Sequence, residues 1–370
     1  MTTSTSKKIV VASVLSIAGA ACAVEGSGDV GWIDFGVAGN TTEIWVTAQD
    51  DGNTVVLHGD GSPAETISHG FGSSAHFVRF SETGDYAYVS RLGDGYVDVI
   101  RASDRQVVFS TLIAPPTEFK GNINPALPGG GGVHDATANA DGSVVLATHW
   151  GTNRLYKLVG SEMSENWSLE TDISINGQRP ICSVFNADGT KAYVGLGPSG
   201  LAVVDVASMT VTDLHATVGP IPCTQQNARD GVSAFNITIT GHFYVLDMTT
   251  DTLTDFGDNL GQPHLHGMAF NNSERVLYTS SRETDEIDIL DLTGSPIDFV
   301  SVDATPGVVD KPDTLFSDGR LFGTLRATGK VVAINNPGFT APYYWDVTTP
   351  LDPDLGYATH GIAVRPHTME

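Results

Sequence analysis

The feature that most constrains the fold is a motif that recurs at a nearly regular period along the chain. One residue stands directly before a short apolar run, and we name its place the doorway position. A turn such as NADGS or NADGT follows, and then β-rich runs such as YAYVSR and KAYVGL. Asp-Gly turns between β-rich runs are typical of hairpins. The doorway positions, 41 to 58 residues apart, are His76, His134, Cys182, Cys223, His266, Asp313 and His360.

The repeat unit indicates the fold class. Each unit contains about four short strands in 40–50 residues, which is typical of a β-propeller blade. Only one strand follows the last doorway position, His360, whereas EIWVTAQDDGNTVVLHGDGSPAETI supplies three strands before the first one. The sequence therefore predicts an all-β, seven-bladed β-propeller over residues 24–370. A composite blade of N-terminal strands and the C-terminal inner strand is expected to close its ring.

The N-terminus has the pattern of a secretory signal peptide over residues 1–23. Lys7 and Lys8 precede an apolar stretch, and Ala21-Cys22-Ala23 matches the small-residue cleavage pattern. A second interpretation makes Cys22 a lipid attachment site. The mature chain has no further apolar segment of about 18 residues, so no transmembrane helix is expected in it. These features predict a periplasmic or secreted protein.

Charge and cysteine content restrict the partners. The net charge of −24 argues against nucleic acids and anionic membrane surfaces, whose phosphates attract basic patches. Only two cysteines lie in the mature body, and in an exported protein an even count suggests a disulfide. Cys182, which our alignment offsets by about one residue, and Cys223 fall on neighbouring predicted blades. We therefore expect them to pair.

The doorway positions suggest a metal site. In a propeller the inner strands line the central channel, so equivalent first residues surround one of its mouths. Four imidazoles and a carboxylate on one arc are ligand types that zinc prefers, although imidazole also suits copper, nickel and iron. The predicted ligands are His76, His134, His266, His360 and Asp313.

A second group of candidates lies beside this ring. His264 precedes His266 by two residues, and the ends of the second strands offer Arg91, His149 and Arg326 at aligned positions, with Arg282 displaced by about one residue. These side chains are candidates for additional ligands or for groups that orient the ligands. The other histidines are predicted to lie at the surface, and they are His58, His69, His215, His242 and His367.

The stretch AHFVRFSETGDYAYVSRLGDGYVDVI resembles the repeats of YVTN-type and cytochrome d1-like propellers. The histidine ring, with HLHGMA at one doorway, is similar more narrowly to the exported zinc-chaperone propellers of the AztD type. This resemblance implies a zinc site formed by His76, His134, His266, His360 and Asp313. It also implies a periplasmic partner, the solute-binding protein of a metal importer.

The sequence leaves several functions open. The first is a non-catalytic zinc chaperone or store, which fits the ring of nitrogen donors. The second is a metal-dependent hydrolase or lactonase, in which three protein ligands would leave a metal position for water. The third is a redox propeller that holds haem d1 without covalent attachment, since CxxCH does not occur. A plain interaction scaffold would need no repeated histidine.

Overall fold

The structure is a computed structural model. It describes residues 43–59, 63–116, 131–175, 178–197, 199–221, 226–227, 231–257, 265–271, 276–284, 286–292, 298–303, 314–317, 320–326, 328–335, 342–346 and 358–366. The predicted signal peptide, Cys22, Cys223, His264 and Asp313 lie outside these residues. No helix among the described residues is long and apolar enough to cross a membrane.

The N-terminal half of the described chain forms four antiparallel sheets. The first is composite, in the order β28-β1-β2-β3, because the last strand of the chain pairs with the first. Its strands are β1 (Glu43–Ala48), β2 (Asn53–His58), β3 (Pro63–Ser68) and β28 (Thr359–Val364). The next three sheets contain β4 (Ala75–Phe80), β5 (Tyr86–Arg91), β6 (Tyr96–Arg101) and β7 (Gln106–Leu112); β8 (Val133–Ala138), β9 (Val144–His149), β10 (Arg154–Ser161) and β11 (Asn166–Ser174); and β12 (Arg179–Phe185), β13 (Lys191–Gly197), β14 (Leu201–Asp205) and β15 (Thr210–His215).

Three further four-stranded sheets follow in chain order. They contain β16 (Gln226–Asn227), β17 (Ser233–Ile237), β18 (Phe243–Asp247) and β19 (Thr252–Asp255); β20 (Leu265–Asn271), β21 (Val276–Ser281), β22 (Glu286–Asp291) and β23 (Asp298–Asp303); and β24 (Thr314–Ser317), β25 (Arg320–Leu325), β26 (Lys330–Asn335) and β27 (Pro342–Asp346). The described strands thus form seven sheets of four strands each.

The inner strands of these sheets lie side by side. Contacts run in sequence from β16 through β20, β24, β28, β4 and β8 to β12. Hairpin-connected four-stranded sheets arranged in this way make an all-β propeller. The prediction of an all-β propeller is confirmed, and so is the pairing of the C-terminal inner strand with the N-terminal strands.

The burial of a strand depends on its place in the sheet, and the outermost strand is the most exposed. The second and third strands, such as β5 and β6, are buried over four consecutive residues, whereas the fourth strand β7 has exposed positions along its length. Neighbouring sheets cover both faces of a middle strand, so such strands are apolar runs without strict alternation. Clusters such as Tyr88, Val99, Val145 and Trp167 fill the space between two sheets.

The repeated Asp-Gly turns have the structure that their sequence predicts. Asp141 Oδ1 accepts hydrogen bonds from the backbone N–H and the hydroxyl of Ser143, at 3.0 and 2.6 Å. Asp188 receives the same pair from Thr190 at the same distances. Gly142 takes the left-handed conformation, with φ of 67°, which is strained for a residue with a side chain. These turns set the register of the hairpins that they connect.

Buried hydroxyls on the second strands tie each sheet to the next one. Ser90 Oγ accepts from the backbone N–H of Phe77 in its own sheet at 3.0 Å, and it donates to the carbonyl of His134 in the next sheet at 2.8 Å. Three more hydroxyls donate across sheets at the same level, namely Thr47 to His76 O (2.7 Å), Thr148 to Ile181 O (2.6 Å) and Thr324 to His360 O (2.8 Å). We call these four hydrogen bonds the hydroxyl ties. Each joins the inner strand of one sheet to the sheet before it.

Replacing Thr148 by valine tests one hydroxyl tie with little change in shape. The substitution leaves the Ile181 carbonyl and the Asp135 N–H without their buried partner. Because unpaired buried polar groups are costly, we expect a loss of about 1–3 kcal/mol in the free energy of unfolding, measured by urea denaturation. Thr210→Val, at an exposed position, is the control and should change the free energy by less than about 0.5 kcal/mol. Equal values for the two variants would contradict a structural role for the tie.

Candidate metal centre

Irregularities in the inner strands place four histidines at one level. Each of His76, His134, His266 and His360 lies where the strand register shifts by one residue, as in a β-bulge. A bulge re-aims the side chain of the extra residue and bends the strand. The hydroxyl ties then fix the backbone carbonyls of three of these histidines, namely His76, His134 and His360.

The four imidazoles form one buried group, which we call the histidine cluster. The Nε2 atoms of His76 and His134 are 3.0 Å apart. The ring centroids of His76 and His360 are 3.9 Å apart, and those of His266 and His360 are 5.6 Å apart. The exposed fraction of these residues is between 2% and 8%. Side chains from four different sheets, up to 284 positions apart in the chain (His76 to His360), are therefore neighbours.

Apolar side chains pack against the cluster. Phe77 contacts three of the imidazoles, with ring centroids 4.8 Å from His76, 4.9 Å from His360 and 5.6 Å from His134. The indole of Trp150 stacks on His134 at 4.0 Å. Phe77 also belongs to a buried group with Ile181 and Cys182, against which Trp150 packs. The imidazoles thus lie in surroundings that disfavour charge.

Burial controls the protonation of the cluster. It is the largest cause that lowers the pKa of His76, His134 and His360 well below the ordinary value. Repulsion by neighbouring imidazoles acts in the same direction, and for His134 a hydrogen bond with the backbone of Ile181 acts against it. These three histidines are therefore neutral near pH 7. A neutral imidazole is the form that binds a metal ion.

Two nitrogens of the cluster lack a hydrogen-bond partner among the described residues. They are Nδ1 of His76 and Nδ1 of His360, and both are fully buried. Leaving a buried polar atom unsatisfied costs about 1–3 kcal/mol. Within the described part of the chain, no group of three or more His, Cys, Asp or Glu side chains is already arranged to hold a metal ion. Two nitrogens that could bind a metal, the Nε2 atoms of His76 and His134, are thus close together. The two unsatisfied Nδ1 atoms belong to the same cluster.

Arg91 and His149 are engaged elsewhere. Arg91 forms ion pairs with Asp94 and Asp98. His149 Nδ1 accepts from the N–H of Thr152 at 3.2 Å, so its other nitrogen, Nε2, is protonated and donates to the carbonyl of Ala114 at 3.1 Å. Neither nitrogen of His149 is left for a metal or for a ligand of the cluster.

The strand register corrects the alignment of the flanking residues. Arg91 and His149 directly follow the tie hydroxyls of Ser90 and Thr148, whereas Arg326 stands two residues after Thr324. Ser280 is the residue equivalent to Thr148, because Ser280 pairs with Gly267 as Thr148 pairs with Asp135. Trp150 stands two residues after Thr148, and Arg282 stands two residues after Ser280. At Trp150 this position faces the cluster, because its indole stacks on His134 at 4.0 Å. The alignment of the repeats treated Arg326 as equivalent to Arg91 and His149, although Arg326 stands one residue further from its hydroxyl.

His69 is a structural residue that the sequence analysis placed at the surface. It is buried, its Nδ1 is 2.7 Å from Asp98 Oδ2, and its Nε2 is 2.9 Å from Thr54 Oγ1. Burial alone would raise the pKa of Asp98, but the hydrogen bonds and charges of its partners, chiefly His69, hold it below the ordinary value. The composite sheet and the β4–β7 sheet are joined through this network. The prediction of a surface position for His69 was wrong because a loop residue turned into the groove between two sheets.

Cys182 is also shifted by one residue, relative to the histidines of the other inner strands. The hydroxyl tie from Thr148 ends on Ile181, so Ile181 occupies the place that histidine has in the other inner strands, and Cys182 follows it. Cys182 is buried, its Sγ is 4.0 Å from His134 Nδ1, and it is disulfide-bonded. Its pairing with Cys223 stays a prediction because Cys223 lies outside the described residues. The assignments of Asp313 and His264 stay predictions for the same reason.

Comparisons with known proteins support the fold and go no further. No family model matches the chain, and no curated protein matches it. Among solved structures, it is similar to the Cps50 (Swd1) β-propeller domain of Myceliophteria thermophila, with a TM-score of 0.60, 12% identity, and coverage of 82% of this chain and 93% of that one. It is also similar to the hydrazine synthase of Kuenenia stuttgartiensis, with a TM-score of 0.55, 12% identity, and coverage of 71% and 77%. At this identity the similarity shows a β-propeller fold alone.

Two buried histidines allow a test with opposite expected signs. His360→Leu removes an imidazole whose Nδ1 has no partner, so we expect the metal-free protein to gain about 1–3 kcal/mol in the free energy of unfolding. His149→Leu removes an imidazole whose two nitrogens are paired with backbone groups, so we expect a loss of similar size. Urea denaturation in the presence of a chelator measures both values. Destabilisation by His360→Leu as large as that by His149→Leu would show that the His360 imidazole is satisfied in the metal-free protein.

Proposed function

We propose that this is an exported metal-binding protein that holds zinc in the histidine cluster, at one mouth of a closed seven-bladed propeller. It acts as a zinc chaperone or store and passes the ion to the solute-binding protein of a metal importer. The observation that carries the proposal is the convergence of four buried imidazoles, with one pair of Nε2 atoms 3.0 Å apart and two unsatisfied Nδ1 atoms.

The donor set fits zinc chemically. Two imidazole nitrogens bound to one tetrahedral zinc ion at about 2.0–2.1 Å lie about 3.3 Å apart. The 3.0 Å separation of the His76 and His134 nitrogens is close to this value, so His134 and His76 need little movement to share an ion. His360 and His266 would join by rotation of their rings. The unsatisfied Nδ1 of His360 would regain a partner if it bound the ion, which would offset its cost in the metal-free protein.

The surroundings favour holding an ion over hydrolysing a substrate. The described side chains in ring contact with His76, His134 and His360, other than histidines, are Phe77 and Trp150. Neither can act as a general base or as a nucleophile. The role as chaperone or store, the periplasmic location and the partner follow from the signal peptide pattern and from the resemblance of the repeats to exported zinc-chaperone propellers.

Titration of the metal-free protein with zinc, in competition with a chromophoric chelator, tests the proposal. We expect a Kd below 1 μM, which corresponds to about −8 kcal/mol or better. His134→Ala and His266→Ala should each weaken binding by about 100-fold or more, because each removes a nitrogen donor. The double variant His215→Ala/His242→Ala is the control; it also removes histidines, but from outside the cluster, and it should bind as the wild type does.

Two results would contradict the proposed function. The first is a wild-type Kd for zinc weaker than micromolar. The second is unchanged binding in both His134→Ala and His266→Ala, which would place any bound zinc elsewhere on the acidic surface.

A further inference from the structure

One aromatic ring packs with side chains from four neighbouring inner strands. Phe77 follows His76 on β4, and its exposed fraction is 1%. The centroid of its ring lies 4.8 Å from that of His76, 4.9 Å from that of His360 and 5.6 Å from that of His134. Phe77 also belongs to one buried group with Ile181. These partners lie on β28, β4, β8 and β12, so the ring reaches into the space that the inner strands surround.

Glycine leaves room for this ring. A Cβ atom on Gly361 would lie 2.8 Å from the Cα atom of Phe77 and 3.1 Å from its Cδ1 atom. Both distances are shorter than the 3.5–4.0 Å or so at which carbon atoms pack best. The residues that follow the four histidines of the cluster are Phe77, Asp135, Gly267 and Gly361. One bulky ring among residues without side chains is the arrangement expected where a single side chain fills a shared space.

Phe77 separates the histidine cluster from solvent further along β4. The side chain of Arg79, two residues on, is 29% exposed, and its guanidinium carbon lies 5.0 Å from the Phe77 ring centroid. The exposed fraction of the cluster histidines is between 2% and 8%. Solvent therefore reaches the inner strand beyond the ring, while the imidazoles before it stay almost dry. Because β4 runs inward from the mouth, the ring closes the inner side of the cluster.

An apolar ring at this place limits the ligands that a bound ion can take from solvent. Zinc accepts four ligands in tetrahedral geometry and needs no water when the protein supplies all of them. Nickel favours tetragonal and manganese octahedral coordination, so beside imidazoles these ions would take additional ligands from water. A bound water molecule needs space and polar partners, and the phenyl ring of Phe77 provides neither.

We propose that Phe77 determines the metal selectivity of the histidine cluster. By closing the inner side of the cluster to water, its ring favours zinc over nickel and manganese. This inference rests on the proposed function and adds the residue that selects the ion. Imidazole ligands alone suit copper, nickel and iron as well as zinc, so a second device has to restrict the geometry. Phe77 is not a ligand, and it acts through the space that it denies to water.

The test compares the affinities for nickel and zinc in the wild type and in Phe77→Ala, by competition with a chromophoric chelator. For the wild type we expect a Kd for nickel at least about 100-fold above that for zinc. In Phe77→Ala, water that enters beside the ion has the metal and the imidazoles as partners. Nickel binding should tighten, and the ratio of the two Kd values should fall by about tenfold or more. Phe77→Val, which also leaves room for water, serves as the second variant if Phe77→Ala does not fold.

Phe243→Ala is the matched control, because it removes a buried ring of the same size. Phe243 is 2% exposed, and its ring packs on Phe235 and Phe256. Both alanine variants should be less stable than the wild type in urea, since each leaves a cavity. Only Phe77→Ala should change the ratio of the two Kd values. Equal changes in both variants would show a general loosening of the fold and would overturn the inference.

Cobalt reports the coordination of the ion directly. The visible bands of Co²⁺ are strong when four ligands surround it tetrahedrally and weak when six ligands do. We expect strong bands from the cobalt-loaded wild type and weaker bands from Phe77→Ala, where water adds ligands. The measurement on the wild type decides the geometry whether or not a variant folds.

The failures are separable. Absence of zinc binding in the wild type ends the proposed function. If zinc binds tightly, either nickel binding of equal affinity or the weak cobalt bands of a six-coordinate ion in the wild type overturns this inference alone. The same ratio of Kd values in the wild type and in the Phe77 variants also overturns it, because Phe77 would then be a structural residue without influence on the choice of ion.

Discussion

The hydroxyl ties are the interaction on which the rest of the structure depends. A β-sheet satisfies its backbone groups within itself, so sheets arranged around an axis need other contacts to fix their relative height. Three of the four ties, those of Thr47, Ser90 and Thr148, use one buried hydroxyl twice, as acceptor for its own inner strand and as donor to the carbonyl of the next one. The carbonyls that accept include those of His76, His134 and His360. The same hydrogen bonds that hold neighbouring sheets together therefore set the level of the imidazoles.

This arrangement places stability and binding in opposition. The ties hold imidazoles in a buried apolar setting, where charge is disfavoured and two Nδ1 atoms have no described partner. A core selected for stability alone would have apolar side chains here, as Ile181 is at the equivalent position of the β12 strand. The imidazoles carry a cost in the metal-free state that binding of a cation offsets. Unsatisfied buried groups of this kind are typical of sites that await a ligand.

Periodicity made the fold and the core of the site predictable. The spacing of the doorway positions, together with Asp-Gly turns, was sufficient for the sheets, their order and the composite pairing. The same alignment brought His76, His134, His266 and His360 to one level. It failed where a shift of one residue decides which way a side chain faces: His149 points to the Ala114 carbonyl, whereas its neighbour Trp150 covers His134. His69 was missed because loop residues carry no periodic signal, and only the groove between two sheets reveals its partners.

Among the possible measurements, X-ray absorption of the zinc-loaded protein addresses the central claim most directly, because it reports the atoms around the ion. We predict at least three imidazole nitrogens at about 2.0–2.1 Å from zinc. A shell made of oxygens, with one imidazole or none, would contradict a metal site in the histidine cluster.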